Sequence, residues 1–579
     1  MTPQEIRERI LDVVGQNGGH LSSSLGAVEI AMALAEVFDP MKDRVVWDVG
    51  HQAYAWKILT EQSRGGKSFD TVRKLDGVSP FPNPLESAAD AAVAGHAGSA
   101  LPVAVGLAAA RDRRGTDEQV VAVVGDASLV NGHSFEALNN ATAATRRLIV
   151  VLNDNDMAIS RPAGNFARFL GRLTSGVRYN RAKNAAKKAG RALRLSFLYG
   201  FVHWTKNRLK TMLLRDVCFE QFGFHYLGPV DGHDLAALRS ALTAAREEER
   251  PVIVHVVTRK GKGYAPAEKD PTGYHGIGPH QIPLTSRSAG TWSDAFGDAL
   301  IEAARTDERI VALTAGMKDG TGLEGFARAY PSRFFDVGIA EGHMVGFAAG
   351  LAAGGMRPVV AVYSTFLQRA VDQVMHDVCI AKLPVVFCVD RAGAVGADGV
   401  THQGLYDIAM LRTLPNLTIC QPKDAEDLKA LLAEALKRNG PTVIRYPRGK
   451  ALQSIAVDSD RQQSSVAIWA TGDQLEKARE VAARVGAEVV FARYLKPFDA
   501  ELLKKQRAMG MKIVSIENGA IAGGFGEAIG ADLKFGWPDE FIPHGSVAEL
   551  EQRYGFDADA IVAAIGDAEG RTGDVRRKT

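Results

Sequence analysis

Two neighbouring stretches, VVAVVGDAS at 120–128 and LIVVLNDNDM at 148–157, decide the fold of this 579-residue chain. Each is an apolar run that leads into Asp or Asn residues, and a segment of helical length separates them. Continuous apolar strands are buried on both faces, which is typical of parallel sheets covered by helices. Ligands of such α/β proteins bind beyond the carboxyl ends of the strands. We therefore predict an α/β fold with a ligand site at this edge.

The same alternation of strands and helices continues along the whole chain. Further strands are predicted at 252–257, 359–362, 385–389, 466–468, 489–491 and 513–516. Two stretches interrupt the pattern: 261–287 is rich in Gly, Pro and His, and 450–465 is polar without apolar periodicity. They indicate three domains, 1–285, 286–455 and 456–579, each with a mostly parallel sheet flanked by helices.

Composition excludes several classes of protein. Hydrophobic residues make up 46% and charged residues 23% of the chain, which is unlike a disordered or collagen-like protein. The four cysteines form no CxxC pair, which indicates free buried thiols in a reducing compartment. The start, MTPQEIRERILDVVG, lacks the apolar run of a signal peptide. The net charge of +2 gives no indication of a nucleic-acid partner. We therefore expect a cytoplasmic protein that binds neither nucleic acid nor membrane.

One segment departs from this neutral balance. Of the 69 Lys and Arg residues, 14 lie between Arg161 and Arg215, a stretch without Asp or Glu. A solvated helix face explains this pattern as well as an arm that binds nucleic acid or lipid. The sequence alone leaves both interpretations open.

Asp126 and Asn155 follow the two strands quoted above, 29 positions apart. Carboxylate and amide oxygens suit Mg²⁺, which also bridges phosphate oxygens. Gly-Asp after a strand and Asn-Asp-Asn in a loop are each common turns. Together, at strand–helix–strand spacing, they favour a metal and diphosphate site.

This spacing resembles the thiamine diphosphate signature, and longer motifs extend the similarity over nearly the whole chain. The chain resembles the 1-deoxy-D-xylulose-5-phosphate synthase family, which is close to the transketolases. The motifs are GGHLSSSLG at 18–26, WDVGHQAY at 47–54, GPVDGHD at 228–234, KGKGYAPAEKDP at 260–271, YSTFLQRAVDQ at 363–373, DRAGAVGADGVTHQG at 390–404 and RYPRG at 445–449.

The resemblance implies a cofactor and its site residues. It implies thiamine diphosphate with Mg²⁺ held by Asp126, Asn155 and Met157. Glu341 would activate the cofactor through its aminopyrimidine ring, although an acid at a helix start also explains a glutamate there. Further cofactor contacts are implied at His51, Gly95, His96, Ala127, Ser128, Tyr264 and Phe366.

The resemblance also implies a substrate site. The substrate-binding set comprises Tyr363, Arg369, Arg391, Asp398, His402 and Arg448. In this set Arg391 and Arg448 would bind a phosphate group. The histidines expected to face the substrates are His20, His51, His275 and His402. The chain departs from the family pattern at Ala97, Ala127 and Gly342.

The implied activity is the thiamine diphosphate-dependent condensation of pyruvate with D-glyceraldehyde 3-phosphate to 1-deoxy-D-xylulose 5-phosphate and CO₂. Such a transferase serves isoprenoid and thiamine precursor synthesis, and by analogy it is a homodimer with a packing role for the third domain. The resemblance makes the basic segment 161–215 a mobile cover for anionic ligands. Two alternatives remain: a divergent transketolase-like enzyme with another donor or acceptor, and a non-catalytic cofactor-binding paralogue.

Overall fold

The computed structural model describes residues 1–155, 218–283, 290–452 and 464–568. The chain divides into two compact units. Unit 1 comprises Met1–Val72 and Gly77–Thr285, and unit 2 comprises Arg73–Asp76 and Ser286–Thr579. The predictions for Met157 and for the basic segment 161–215 lie outside the described residues.

Unit 1 contains a five-stranded parallel sheet in the order β1-β2-β3-β5-β4. Its strands are β1 (Arg44–Trp47), β2 (Val120–Gly125), β3 (Ile149–Asp154), β4 (His225–Asp231) and β5 (Val252–Val257). Its helices are Pro3–Asn17, Ser22–Gly26, Val28–Val37, Tyr54–Leu59, Ala100–Arg114, Asp126–Leu129, Gly132–Ala144, Cys218–Gln221, Leu235–Glu247 and Ala265–Lys269. The 3₁₀ turns are Glu61–Ser63 and Phe69–Thr71.

The strand β2 shows why this sequence makes a buried parallel sheet. Successive side chains of a strand point to opposite faces. Val121 and Val123 pack into one apolar cluster with the helices Val28–Val37 and Leu235–Glu247. Ala122 and Val124 pack into another cluster on the opposite face. Because both faces are covered, an uninterrupted apolar run is the sequence that this strand requires.

Unit 2 contains two sheets. The larger has the order β14-β10-β11-β9-β8-β6-β7, and the smaller has the order β13-β12-β15-β16. The larger sheet consists of β6 (Ile310–Thr314), β7 (Phe334–Asp336), β8 (Arg357–Tyr363), β9 (Val386–Asp390), β10 (Thr418–Cys420), β11 (Thr442–Arg445) and β14 (Tyr494–Lys496). The smaller consists of β12 (Val466–Ala470), β13 (Glu488–Phe491), β15 (Lys512–Ala520) and β16 (Leu533–Trp537).

The helices of unit 2 cover these sheets. They are Trp292–Thr306, Glu324–Ala329, Glu341–Ala353, Ser364–Leu367, Val371–Gln373, Asp407–Leu411, Ala425–Lys437, Leu475–Val485, Ala500–Ala508, Phe525–Ala528, Val547–Arg553 and Ala558–Ala568. A π-helical turn spans Val374–Cys379, and 3₁₀ turns span Pro331–Arg333, Gln368–Ala370, Gly399–Thr401 and Gly472–Gln474. In the part of the chain that the structure describes, sixteen strands form three mostly parallel sheets, which confirms the predicted α/β class.

One strand links the last two sequence segments within unit 2. The strand β14 lies after the third-domain boundary predicted near 456, yet it pairs antiparallel with β10 of the larger sheet. This edge pairing is the exception among the otherwise parallel neighbours of that sheet. The C-terminal segment therefore contributes directly to the sheet whose strand β7 precedes the helix Glu341–Ala353.

Two other predictions concern cysteines and membranes. Cys379, Cys388 and Cys420 are buried free thiols, as the spacing predicts. Within the described ranges, no helix combines the length and the apolar character that a membrane crossing requires.

Candidate active site

The two strands quoted first are direct neighbours, and their ends place Asp126 beside Asn155. Gly125 at the end of β2 pairs in register with Asn153 of β3. Asp126 is buried at the start of the helix Asp126–Leu129, where its Oδ1 accepts a hydrogen bond from the N–H of Ala127 at 2.9 Å. The Oδ1 atom of Asn155 is buried and accepts no hydrogen bond within the described ranges. Two hard oxygen donors thus meet at one sheet edge.

The charge at this edge is unbalanced. Burial, and next the carboxylate of Asp154, raise the pKa of Asp126 to about 7, against the opposing effect of Lys260. Burial in turn lowers the pKa of Lys260, and Asp126 opposes that shift. Two buried carboxyl groups that repel each other favour a bound cation.

Asp154 is oriented by a buried polar chain. Its Oδ2 lies 2.9 Å from Nε2 of His255, and the Nδ1 of that histidine lies 2.7 Å from the hydroxyl of Tyr226. The His255 side chain is fully buried on β5, the strand next to β3. This chain keeps the Asp154 carboxylate beside the candidate metal ligands.

Three of the predicted histidines form one cluster in unit 1. Ring centroids of His20 and His275 are 5.5 Å apart, those of His51 and His275 are 5.3 Å apart, and those of His20 and His51 are 6.2 Å apart. Burial, and then the neighbouring His20 and Lys260, hold the pKa of His275 well below its ordinary value. His275 is therefore neutral near pH 7.

The other predicted cofactor residues of unit 1 lie in loops that precede helices or within the short helix Asp126–Leu129. Gly95 and His96 precede the helix Ala100–Arg114, and the His96 carbonyl accepts a hydrogen bond from the Ser99 hydroxyl at 2.8 Å. Ser128 is buried, and Ala127, which stands where the family has glycine, is partly exposed. Tyr264 precedes the helix Ala265–Lys269, with its ring 5.7 Å from that of Tyr274.

Glu341 is the buried first residue of the helix Glu341–Ala353 in unit 2. Its Oε2 lies 3.6 Å from Nε of Arg369, too far for a hydrogen bond, and is buried without a hydrogen bond to any described residue. Burial raises the pKa of Glu341, and Arg369 opposes this shift. A buried carboxyl group with an oxygen that forms no hydrogen bond to the described residues is suited to bind a ring nitrogen of a ligand.

Three predicted rings pack in sequence in the same unit. The rings of Tyr363 and Phe366 stack with centroids 5.8 Å apart, and the edge of His402 meets Phe366 at 5.6 Å. Tyr363 ends β8, and Phe366 lies in the short helix that follows. The His402 Nδ1 lies 2.9 Å from the Thr401 hydroxyl.

The predicted guanidinium groups gather around Tyr363 and Asp398. The Arg391 guanidinium lies 3.7 Å from the centroid of the Tyr363 ring. Arg448 Nη1 donates to Asp398 Oδ2 at 3.2 Å. Burial, and then the charge of Arg391, lower the pKa of Arg448, so the two cations are close enough to repel each other. Such a pair is stabilised by a bound dianion.

The structure adds site residues that the sequence analysis missed. Arg73 Nη1 donates to Asp398 Oδ1 at 2.8 Å, and Lys260 lies beside Asp126. Gly320 approaches the Tyr363 hydroxyl so closely that an added Cβ would lie 1.6 Å from it. Lys260 belongs to the quoted KGKGY motif, which could have identified it. No local signal marks Arg73 or Gly320, because their partners lie far away in the sequence.

The donor set is consistent with a magnesium ion. Among the described residues no group of three or more His, Cys, Asp or Glu side chains could hold a metal. The predicted set needs one carboxylate, one amide oxygen and one backbone carbonyl, and the residue of that carbonyl, Met157, lies outside the described ranges. Asp126 and Asn155 would supply the first two oxygens, and oxygen donors of this kind suit Mg²⁺ better than a transition metal.

Comparisons with known proteins assign each part of the chain to a family model. Residues 2–258 match the family model described as 1-deoxy-D-xylulose-5-phosphate synthase. Residues 288–453 match the pyrimidine-binding domain of transketolase, and 456–561 match the transketolase C-terminal domain. The fold and the site thus define a transketolase-like enzyme, a class that uses thiamine diphosphate.

Full-length relatives narrow this class. The 1-deoxy-D-xylulose-5-phosphate synthase of Desulforudis audaxviator is 44% identical over 96% of this chain and 93% of its own. The synthase 1 of Geobacter metallireducens is 43% identical over 97% of this chain and 95% of its own. That of Heliobacterium modesticaldum is 42% identical, with coverages of 99% and 94%. The chain belongs to the 1-deoxy-D-xylulose-5-phosphate synthase family, as the motifs predicted.

Proposed function

We propose that this protein condenses pyruvate with D-glyceraldehyde 3-phosphate to give 1-deoxy-D-xylulose 5-phosphate and CO₂. One observation carries this proposal beyond family membership. Unit 2 contains both a buried acid with a raised pKa, Glu341, and the guanidinium groups of Arg391 and Arg448. The first group suits cofactor activation, and the others suit a phosphorylated acceptor.

The residues fit the cofactor and its metal. Asp126 and Asn155 would bind Mg²⁺, and His51, Gly95, His96 and Tyr264 would contact the diphosphate part. Glu341 would hold its proton between the carboxyl group and a nitrogen of the aminopyrimidine, with Phe366 against the ring. When bound, thiamine diphosphate supplies a carbon nucleophile and a ring that takes up the electron pair released with CO₂.

The reaction balances with one proton taken up. The bond between the carboxylate and the keto carbon of pyruvate breaks, and that keto carbon forms a bond to the aldehyde carbon of the acceptor. The aldehyde oxygen becomes a hydroxyl group and needs a proton. We assign this proton to His402, whose ring packs against Phe366, since imidazoles exchange protons near neutral pH.

The acceptor site would use charge and shape. Arg391 and Arg448 would bind the phosphate dianion, because their mutual repulsion falls when it is present. Arg369 and Asp398 would orient the polar groups nearby. The imidazoles of His20, His51 and His275 would form hydrogen bonds with oxygen atoms of the substrates.

A homodimer in the cytoplasm is part of the proposal. The support is analogy with the class, and sedimentation equilibrium of the purified chain tests the dimer directly. A species of one chain mass at micromolar concentration contradicts it.

The activity is tested by measuring CO₂ release from pyruvate in the presence of thiamine diphosphate and Mg²⁺. We expect release to rise when D-glyceraldehyde 3-phosphate is added and to equal the amount of 1-deoxy-D-xylulose 5-phosphate formed. Release that does not depend on this acceptor contradicts the proposal. Release with a different phosphorylated aldehyde or another 2-keto acid instead supports a divergent enzyme of the same class.

A further inference from the structure

Three of the proposed acceptor residues lie on one loop, 391–404, whose two ends pair with each other. It begins at Arg391 after β9 and carries Asp398 and His402. Gly393 and Gly404 exchange two backbone hydrogen bonds, N to O, of 2.7 and 2.8 Å. Between these ends the loop holds one 3₁₀ turn, so its shape depends on what packs against it.

Asn518 of the strand β15 contacts the base of this loop. Its Oδ1 accepts hydrogen bonds from the backbone N–H of Ala394 and from Nε1–H of Trp537, both at 2.9 Å and both buried. An added Cβ on Gly393 would lie 2.2 Å from the amide nitrogen of Asn518, and Gly393 has a φ of +90°. Position 393 therefore requires glycine.

Hydrogen bonds to residues outside the loop fix the orientation of the Asn518 side-chain amide. Its Nδ2 donates to Asp473 Oδ2 at 2.7 Å, and a carboxylate accepts only from the nitrogen end of an amide. The backbone carbonyl of Asn518 accepts a hydrogen bond from Nη2 of Arg445 at 2.9 Å. Arg445 is fully buried and also binds the Asp407 carboxylate through Nε at 2.8 Å. Asn518 is thus a rigid support and not an adaptable one.

A second support comes from residues 543–545. The buried Gln403 accepts a hydrogen bond from the N–H of Val395 at 2.8 Å and donates one to the carbonyl of Pro543 at 3.1 Å. An added Cβ on Gly396 would lie 2.8 Å from the Gly545 carbonyl oxygen, and one on Gly399 would lie 3.1 Å from Cβ of His544. The backbone on either side of Asp398 is in close contact with this segment.

We propose that the third domain is part of the acceptor site, with Asn518 as a positioning residue for the loop 391–404. This inference rests on the proposed function, in which the loop binds the phosphorylated aldehyde. Arg391 has a φ of +58°, a conformation that a non-glycine residue keeps only when its surroundings impose it. A phosphate-binding side chain must be held to within a fraction of an ångström, and the contacts of Asn518 supply that constraint.

The variant Asn518→Ala removes the support and leaves every acceptor-binding side chain in place. We expect the KM for D-glyceraldehyde 3-phosphate to rise about tenfold, with kcat changed less and thiamine diphosphate affinity, read by fluorescence quenching, unchanged. Gln506→Ala is the matched control. Gln506 is an equally buried amide of the same domain that accepts from Trp469 Nε1 at 2.8 Å, and it is bonded to Glu488 rather than to the loop. Equal KM effects from both variants overturn the proposal.

Exchanging the donor and the acceptor of the hydrogen bond between Asn518 and Asp473 tests whether this bond orients the Asn518 amide. Asn518→Asp places two carboxylates together and should raise the acceptor KM, whereas Asn518→Asp with Asp473→Asn restores a donor and an acceptor and should return KM to within about twofold of wild type. A double variant as impaired as the single one contradicts the positioning role.

Hydrogen exchange separates this inference from the proposed function. Backbone amides in peptides covering 392–403 should exchange faster in Asn518→Ala than in wild type or Gln506→Ala, whatever the protein's substrate is. If wild type shows no acceptor-dependent CO₂ release, the proposed function fails and the exchange rates alone decide the positioning role. Unchanged exchange in Asn518→Ala overturns it.

Discussion

Arg73 donates a hydrogen bond to Asp398 across 325 positions of the sequence, with Nη1 2.8 Å from Oδ1. The other oxygen of the same carboxylate accepts from Arg448 at 3.2 Å. One carboxylate therefore binds two guanidinium groups, and the short segment Arg73–Asp76 belongs to the same unit as Asp398. Asp398 organises the positive charge that the acceptor phosphate would meet.

Removing Arg73 should weaken acceptor binding. In Arg73→Ala, the Asp398 carboxylate loses its hydrogen bond from Arg73 and keeps the one from Arg448. The Arg448 guanidinium is then attracted more strongly to Asp398 than to the acceptor phosphate. We therefore expect the KM for D-glyceraldehyde 3-phosphate to rise about tenfold. Steady-state kinetics with varied acceptor measure this change. The control is Arg553→Ala, which removes a more exposed ion pair to Asp76 of the same segment. A rise of the same size in the control would show that the effect comes from displacement of the segment.

Replacing the buried acid should stop turnover and spare the fold. For Glu341→Ala we expect kcat to fall by about 10²- to 10⁴-fold, because proton transfer to the cofactor ring loses its partner. Far-ultraviolet circular dichroism should match wild type. Glu324→Ala is the control, since Glu324 is an exposed glutamate at the start of another helix of unit 2. Wild-type turnover by Glu341→Ala contradicts the assignment of the activating acid.

Glu517 should make stability fall with rising pH. Burial raises the pKa of this fully buried carboxyl to about 7, against the N–H groups of Gly526 and Phe525 that favour its charged form. The folded state then binds the proton more tightly than the unfolded chain does. The stability that this group contributes is complete below the ordinary glutamate pKa of about 4.5 and is lost as pH rises to about 7.

Urea unfolding at several pH values measures this slope. Glu517→Gln should reduce the loss of unfolding free energy between pH 5 and pH 7 relative to wild type. Glu527→Gln, at an exposed glutamate ten positions further on, should leave the slope as it is. An unchanged slope in Glu517→Gln would mean that other buried acids, such as Asp390 with a pKa raised to about 6, dominate.

Cofactor and metal should stabilise the protein through Asp126. Ligand at about a hundred times its dissociation constant adds about 2.7 kcal/mol to the unfolding free energy. We expect thiamine diphosphate with Mg²⁺ to raise Tm by about 2 °C and a chelator to reverse the metal-dependent part. Asp126→Ala should lose that part. Asp117→Ala, at an exposed ion pair with Lys42, should keep it, and a full Tm response in Asp126→Ala contradicts the metal assignment.

The strands and the motif residues could be predicted because they depend on local sequence. The run 120–124 is apolar at every position, and the structure buries both of its faces. The strand at 252–257 was predicted with the bounds that the structure shows. Three histidines singled out from separate parts of the sequence, His20, His51 and His275, meet in one cluster. The antiparallel edge strand β14 was not predicted, since three residues in a polar context carry no usable period.

By itself the sequence determined the α/β class, the family, and the residue types that a diphosphate, a metal and an acceptor phosphate require. Those features depend on side-chain periodicity and on short motifs. Three contacts are visible in the tertiary structure and not in the sequence. Arg73 and Arg448 share Asp398, and Lys260 lies beside Asp126. Asn518 supports the loop 391–404. Each is a contact between residues far apart in the chain, and such contacts exist only once the sheets have brought their edges together.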